Sequence, residues 1–107
     1  MGKRRVMRLT SFRRAGRLVP RRPRGLRAGS VILRMGEAMD WHSTNTREEL
    51  LITLAGKVEV EVCSARRRRR FVLTAGRCVF LPAKTLHRLV NRSRGAARYL
   101  YVTAPSG

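Results

Sequence analysis

Acidic residues are scarce in this 107-residue chain: six Asp and Glu stand against 25 Lys and Arg, a formal charge of +19. Lysine is scarce too, since only Lys3, Lys57 and Lys84 interrupt an otherwise arginine basic set. A GC-rich genome inflates arginine on its own, so the excess does not by itself name a polyanion partner. It does attract nucleic acid at low salt. Cysteine is limited to Cys63 and Cys78. That is too few for a disulfide framework, and the CxxC spacing of a zinc site is missing, so two reduced thiols packed as small hydrophobes are expected. No apolar run outlasts Leu50 to Leu54, itself interrupted by Thr53, against the ~20 residues of a membrane helix. The basic N-terminus has no apolar block of about 7–15 residues, as a secretory signal would. These absences set membrane and secreted classes aside and point to a cytoplasmic protein.

What is present divides at the first acid. Residues 1–34 carry twelve basic residues and no acidic one, broken by Gly16, Pro20, Pro23, Gly25 and Gly29. We read residues 1–29 as a basic arm in which Val6, Leu9, Phe12, Leu18 and Val19 supply one or two short strands. An Arg-rich transit peptide is an alternative, although Ser11 is its lone serine. Residues 30–107 form the compact domain. Short apolar stretches recur between turn residues: Val31 to Met35, Leu50 to Ala55, Lys57 to Cys63, Phe71 to Leu73, Cys78 to Leu81, His87 to Val90 and Arg98 to Thr103. Val58, Val60 and Val62 alternate with Glu59, Glu61 and Cys63, Gly56 marks a tight turn, and Pro82 stops a strand. No helical period appears, so the fold class is all-β, a sandwich or barrel. Leu50, Ile52 and Leu54 share one face of their strand and Leu51 and Thr53 the other. A strand apolar on both sides needs two covers; the arm or a partner copy can supply the second, and a homodimer is expected.

The two histidines, His42 and His87, each sit in a spaced pattern. Gly36 is followed by five residues and His42; Glu49 is followed by six residues and Gly56. Gly76 is followed by five residues and Pro82, then by Thr85-Leu86-His87 and, three residues on, Asn91. This resembles the two motifs of the cupin superfamily, here over residues 36–56 and 76–91. The resemblance implies a small antiparallel jelly-roll β-barrel, often dimeric. It also implies a divalent metal ion held inside by His42, Glu49 and His87.

The second His of the first motif falls on Thr44, a departure that removes one imidazole. Strand parity puts Glu49 with Leu51 and Thr53, and Glu48 with Leu50 and Ile52, so only one acid faces the axis; the gap to Gly56 selects Glu49. Two imidazoles and a carboxylate match the set that holds Fe(II) with open positions, and manganese, zinc or nickel accept the same donors. The alternative is a hydrogen-bonded polar cluster without metal. Thr44, Leu51 and Trp41 are the expected pocket lining, with the Thr44 hydroxyl supporting a bound water. Lys84 stands where the family prefers Gly, and costs about 1 kcal/mol if that position needs a positive φ. Tyr99 and Tyr101 alternate with Leu100 and Val102, without indicating which face is buried.

The run Arg66–Arg70 lies at a hairpin. A turn centred on Ser64-Ala65 places Glu61 opposite Arg68 and Glu59 opposite Arg70. Three functions follow as expectations: a cupin binding a metal ion and a small polar ligand, with dioxygenase, isomerase and lyase chemistry all open; a metal-free ligand-binding or sensor cupin; or a basic protein binding nucleic acid nonspecifically through its arginines. The last has no helix-turn-helix or zinc-finger pattern and few aromatics for base stacking.

Overall fold

The structure, a computed structural model, describes residues 7–65 and 67–106. Nine strands follow in chain order: β1 (Gly16–Arg17), β2 (Arg27–Leu33), β3 (Ala38–Ser43), β4 (Arg47–Ala55), β5 (Lys57–Ser64), β6 (Arg67–Thr74), β7 (Cys78–Leu81), β8 (Leu86–Val90) and β9 (Ala97–Pro105). Among the described residues there is no helix, and hence none long and apolar enough to cross a membrane. All pairings are antiparallel and form two sheets, β1-β2-β9-β4-β7 and β3-β8-β5-β6. From β2 to β9 the chain crosses between these sheets at every connection except the β5–β6 hairpin, in the order of a jelly roll. Residues distant in sequence therefore face each other across one interior.

Alternation of side chains fills that interior. Leu51 from β4, Val58, Val60 and Val62 from β5, Leu73 from β6, Leu81 from β7, Leu89 from β8 and Tyr99 from β9 are buried together. Leu50, Ile52 and Leu54 point away from the barrel and are half-buried, as are Leu100 and Val102 beside them. Gly56 makes the one-residue connection from β4 to β5 at φ +74°, and a Cβ there would lie 2.6 Å from the Ala96 carbonyl oxygen. Only glycine fits that turn.

Three expectations change. The arm does lay one short strand against the domain, but its described apolar residues are not in it. Leu9 and Phe12 are exposed and lie in no strand, Leu18 and Val19 are half-buried just beyond β1, and the arm contributes β1, which pairs with Gly29 and Ser30, and the first three residues of β2; Val6 lies outside the described residues. The β5–β6 hairpin centres one residue later than Ser64-Ala65, which moves each cross-strand partner by two. Ser64 pairs with Arg67, and Glu61 stands opposite Arg70 rather than Arg68, while Glu59 stands opposite Val72. Ala65 takes a positive φ of 46° at this turn, and Arg66 lies outside the described residues. Cys63 is half-buried, but Cys78 is exposed at the start of β7 rather than packed.

Asn91 fastens the end of the barrel that closes the core. Its buried amide donates to the carbonyls of Leu33 and Gly95 and accepts from the Ser93 backbone N–H and hydroxyl. Lys84 occupies the left-handed region at φ +60°, and its N–H donates to Asn45, itself at φ +54°. The departure from glycine is therefore tolerated at a strained position.

Candidate metal centre

His42 and His87 are cross-strand partners on β3 and β8, with ring centroids 4.3 Å apart and planes inclined by 57°. Glu49 reaches them from the opposite sheet, where it lies between Leu81 and Thr103 in register. The three donor atoms fall within 4.8 Å of one another. The family resemblance implied that these residues meet, and the jelly-roll crossover explains how: β4 runs in one sheet while β3 and β8 run in the other.

Both rings are oriented by the backbone of their own strands. The Nδ1 of His87 lies 3.0 Å from the Thr85 carbonyl oxygen, and the Nδ1 of His42 lies 2.7 Å from that of Asp40. A carbonyl only accepts, so each Nδ1 carries the hydrogen, and in the neutral ring Nε2 then keeps its lone pair. The His87 Nε2 is fully buried, 3.2 Å from a Glu49 carboxylate oxygen, yet it has no hydrogen-bond partner among the described residues. In that form a lone pair and a carboxylate oxygen face each other as two acceptors, which a proton or a metal cation between them satisfies. The donor set fits a divalent metal: neutral imidazole nitrogens and one carboxylate, with outer hydrogen bonds already in place.

Thr44 does not substitute for an imidazole. Its hydroxyl donates to the Pro82 carbonyl at 2.8 Å and accepts from the Thr85 N–H at 2.9 Å, bracing the turn that precedes His87. The hydroxyl is occupied in the fold rather than held for a bound water. Trp41 is also placed differently from the sequence expectation. Neighbouring residues on a strand point to opposite faces, so Trp41 turns outward when His42 turns inward. It lies under the Arg88 and Arg68 guanidinium groups, 5.1 and 5.5 Å from the ring centroid. Around it, Glu59 and Glu61 are bridged by Arg92 at 2.9 Å each, with Arg88 at 3.0 Å from Glu61. The hydrogen bond from Arg92, followed by that from Arg88, holds the Glu61 carboxyl below the usual range against the opposing effect of burial.

A cavity of about 570 Å³ opens above the cluster, within the range of small-molecule sites. Leu51 and Leu89 line its apolar part, and Tyr99, Tyr101 and Thr103 line another wall. Tyr99 is almost fully buried, and burial, with the Glu49 charge adding to it, raises the phenol well above its ordinary pKa. It therefore stays a hydrogen-bond donor. Arg27 and Arg47 stand at the mouth. Neither arginine was singled out from sequence, although Arg47 shares strand parity with Glu49, two residues away. Arg47 donates from Nε to the Thr103 hydroxyl at 2.8 Å and from its terminal nitrogens to the carbonyls of Thr103, Pro23 and Gly25. It thereby ties the arm to the cavity rim. Lys84 is exposed and is not among the lining residues.

Comparison with known proteins decides the family. Residues 29–103 match the Cupin domain family. The chain is a cupin. No curated protein sequence matches it. Among solved structures it resembles the Schizosaccharomyces pombe Cnp3 cupin domain (TM-score 0.74, 21% identity, 86% of this chain and 60% of that one). It also resembles an oxalate oxidase solved in complex with glycolate (0.71, 16%, 78% and 43%). The protein TT1209 from Thermus thermophilus matches at 0.71 and 24% identity over 92% of both chains. This cupin spans less than two thirds of the first two, and at these identities the likeness is one of fold.

Proposed function

We propose that this cupin holds a divalent transition metal ion, iron, manganese, zinc or nickel, through His42 Nε2, Glu49 and His87 Nε2, and binds a small polar ligand in the cavity above it. The observation that carries this reading is the buried, unpartnered His87 Nε2 facing a carboxylate oxygen at 3.2 Å. A single proton would satisfy that pair but leave the Nε2 of His42 unused, whereas a metal ion engages all three donors. When bound, the ion supplies Lewis-acid polarisation and open positions for ligand. The residues themselves orient and enclose: main-chain carbonyls fix both rings, Tyr99 presents a phenol O–H, and Leu51 and Leu89 exclude water on one side. That an oxalate oxidase of the same fold takes glycolate supports a small molecule as the occupant of such a barrel.

Metal analysis of the native protein, followed by reconstitution with each of the four ions, tests the reading. About one ion per chain is expected, lost in His87→Ala. Saturation at about a hundredfold over Kd adds ~2.7 kcal/mol to stability, visible as a raised melting temperature in the wild type alone. No metal after reconstitution overturns the reading and leaves the metal-free binding module.

The same chain is proposed to assemble as a homodimer through the outer face of the β2-β9-β4-β7 layer. Leu50, Ile52, Leu54, Leu100 and Val102 form its centre, and Ile32 and Phe80 are 39% and 57% exposed beside them. Glu48 lies at one end of this face and Arg98 at the other, paired with Ala104 and Ala55 respectively. A two-fold axis between two such faces, running across the strands, brings each Glu48 toward the partner copy's Arg98 end. Because each chain carries +19, added salt screens the repulsion and strengthens this association; sedimentation at rising salt tests it, with Ile52→Arg expected monomeric.

A second reading rests on Arg67–Arg70, all exposed on the sheet-edge strand β6: nonspecific nucleic-acid binding at low salt. It has the opposite salt dependence, and undetectable binding at physiological salt removes it.

A further inference from the structure

We propose that the cavity mouth is an anion subsite built from Arg27 and Arg47, and that the ligand is a small organic carboxylate whose head group docks there. The proposal takes its location from the pocket reading above and names the ligand class.

Arg27 opens β2 on the inward-facing parity of Gly29, Val31 and Leu33, opposite Thr103. Thr103 in turn stands opposite Glu49. Arg47 precedes Glu49 by two residues, about 6.8 Å along the same face. Two guanidinium groups thus flank the entrance to a site whose floor holds one carboxylate. Among the described residues no carboxylate lies within ion-pair distance of either arginine, since every acid so paired meets Arg70, Arg88, Arg92 or His87. Arg47 is met only by neutral oxygens, and Arg27 makes no side-chain hydrogen bond among the described residues. Its planar fork is open.

Like charges converging on a part-buried mouth repel, and an anion between them turns that repulsion into attraction. A neutral sugar or an apolar ligand gives the two charges no counterpart. The field extends outward as well: a second depression of about 300 Å³ shares Arg27 and Tyr101 and adds Arg17 and Arg21, with no acid in its wall. Such a mouth concentrates anions before they dock. The guanidinium fork matches a carboxylate in two parallel hydrogen bonds. The Glu49 charge on the floor disfavours further negative charge on the buried end of the ligand. The two ends of the cavity thus ask for different groups: a carboxylate outside, a neutral polar group such as a hydroxyl or carbonyl inside. Leu51 and Leu89 suit a short carbon skeleton between them.

The test uses the full chain after treatment with chelator, so that no ion is needed. Lactate and acetate are titrated against lactamide and acetamide at constant ionic strength, with inorganic phosphate as a further arm, and binding is read by calorimetry and by arginine side-chain chemical shifts. Lactate is expected to saturate while lactamide does not, and Arg27→Gln to weaken lactate by about tenfold or more. Arg27→Lys, which keeps the charge and loses the fork, should fall between them. Metal uptake is measured on the same Arg27 variants, which lie outside the donor set, so loss of metal and loss of anion binding are read separately. Equal binding of lactate and lactamide, unchanged affinity in both Arg27 variants, or phosphate binding as tightly as lactate overturns the proposal. Failure to take up metal would overturn the earlier reading alone.

Discussion

Replacing Asn91 by alanine should be among the most damaging single changes in this barrel. The side chain is fully buried and makes four hydrogen bonds: two donated to the Leu33 and Gly95 carbonyls and two accepted from Ser93. Ser93 is half-buried, so its groups turn to water and recover much of their share. The carbonyl of Leu33 has no such recourse, because Leu33 is 5% exposed. Taking ~1 kcal/mol for each amide bond lost and about as much again for the stranded carbonyl gives roughly 3 kcal/mol. A domain of this size holds about 5–15 kcal/mol in total, so thermal unfolding followed by circular dichroism should shift down by about 12–24 °C. Asn91→Asp separates hydrogen bonding from packing. It keeps the volume, loses both donors and sets a negative charge against two carbonyl oxygens, so at neutral pH it should fall at least as far. A drop below about 5 °C in both variants would refute the hydrogen-bond account.

Lys84→Gly should raise stability by about 0.5–1 kcal/mol, the relief at φ +60° partly offset by glycine's greater unfolded-state freedom; a lower melting temperature would contradict the strain. Trp41→Ala should leave metal uptake unchanged while loosening Arg68 and Arg88, because the ring lies on the outer face; lost metal would return Trp41 to the pocket. The Glu61 carboxyl is held below its ordinary value of 4.5, chiefly by Arg92. Its folded form therefore binds the proton more weakly than the unfolded chain. The resulting stability is fully present above that ordinary value and is lost as pH falls through the lowered one. Unfolding of Glu61→Gln should show a shallower acid limb than the wild type, and identical limbs would dismiss the contribution.

The parts legible in the sequence were those with local causes. Strand β7 ends where Pro82 begins, and β5 shows its two faces as valines against glutamates. The His42, Glu49 and His87 cluster was legible because its spacing is that of a family motif. Strand β3 was not, since Ala38–Ser43 has no apolar alternation and carries a register irregularity between Met39 and His42; pairing with β8 makes it a strand. The β6 register slipped by two because Glu61 meets an arginine in either alignment, so charge did not discriminate. Its firmest partner, Arg92, comes from beyond β8. The inward face of β9 was ambiguous because both faces carry large apolar surfaces, and the barrel interior takes the tyrosines. Arg47 was hidden by abundance: one guanidinium at the cavity rim among so many does not stand out until the backbone shows where it points.

The two imidazoles take their aim from peptide carbonyls two positions back on the same strands. Among the described residues no side chain hydrogen-bonds either Nδ1, so drift in the cavity's outer lining leaves those two bonds untouched. Evolution can therefore remodel the entrance of this barrel, residue by residue, while the inner pair stays trained on the same point.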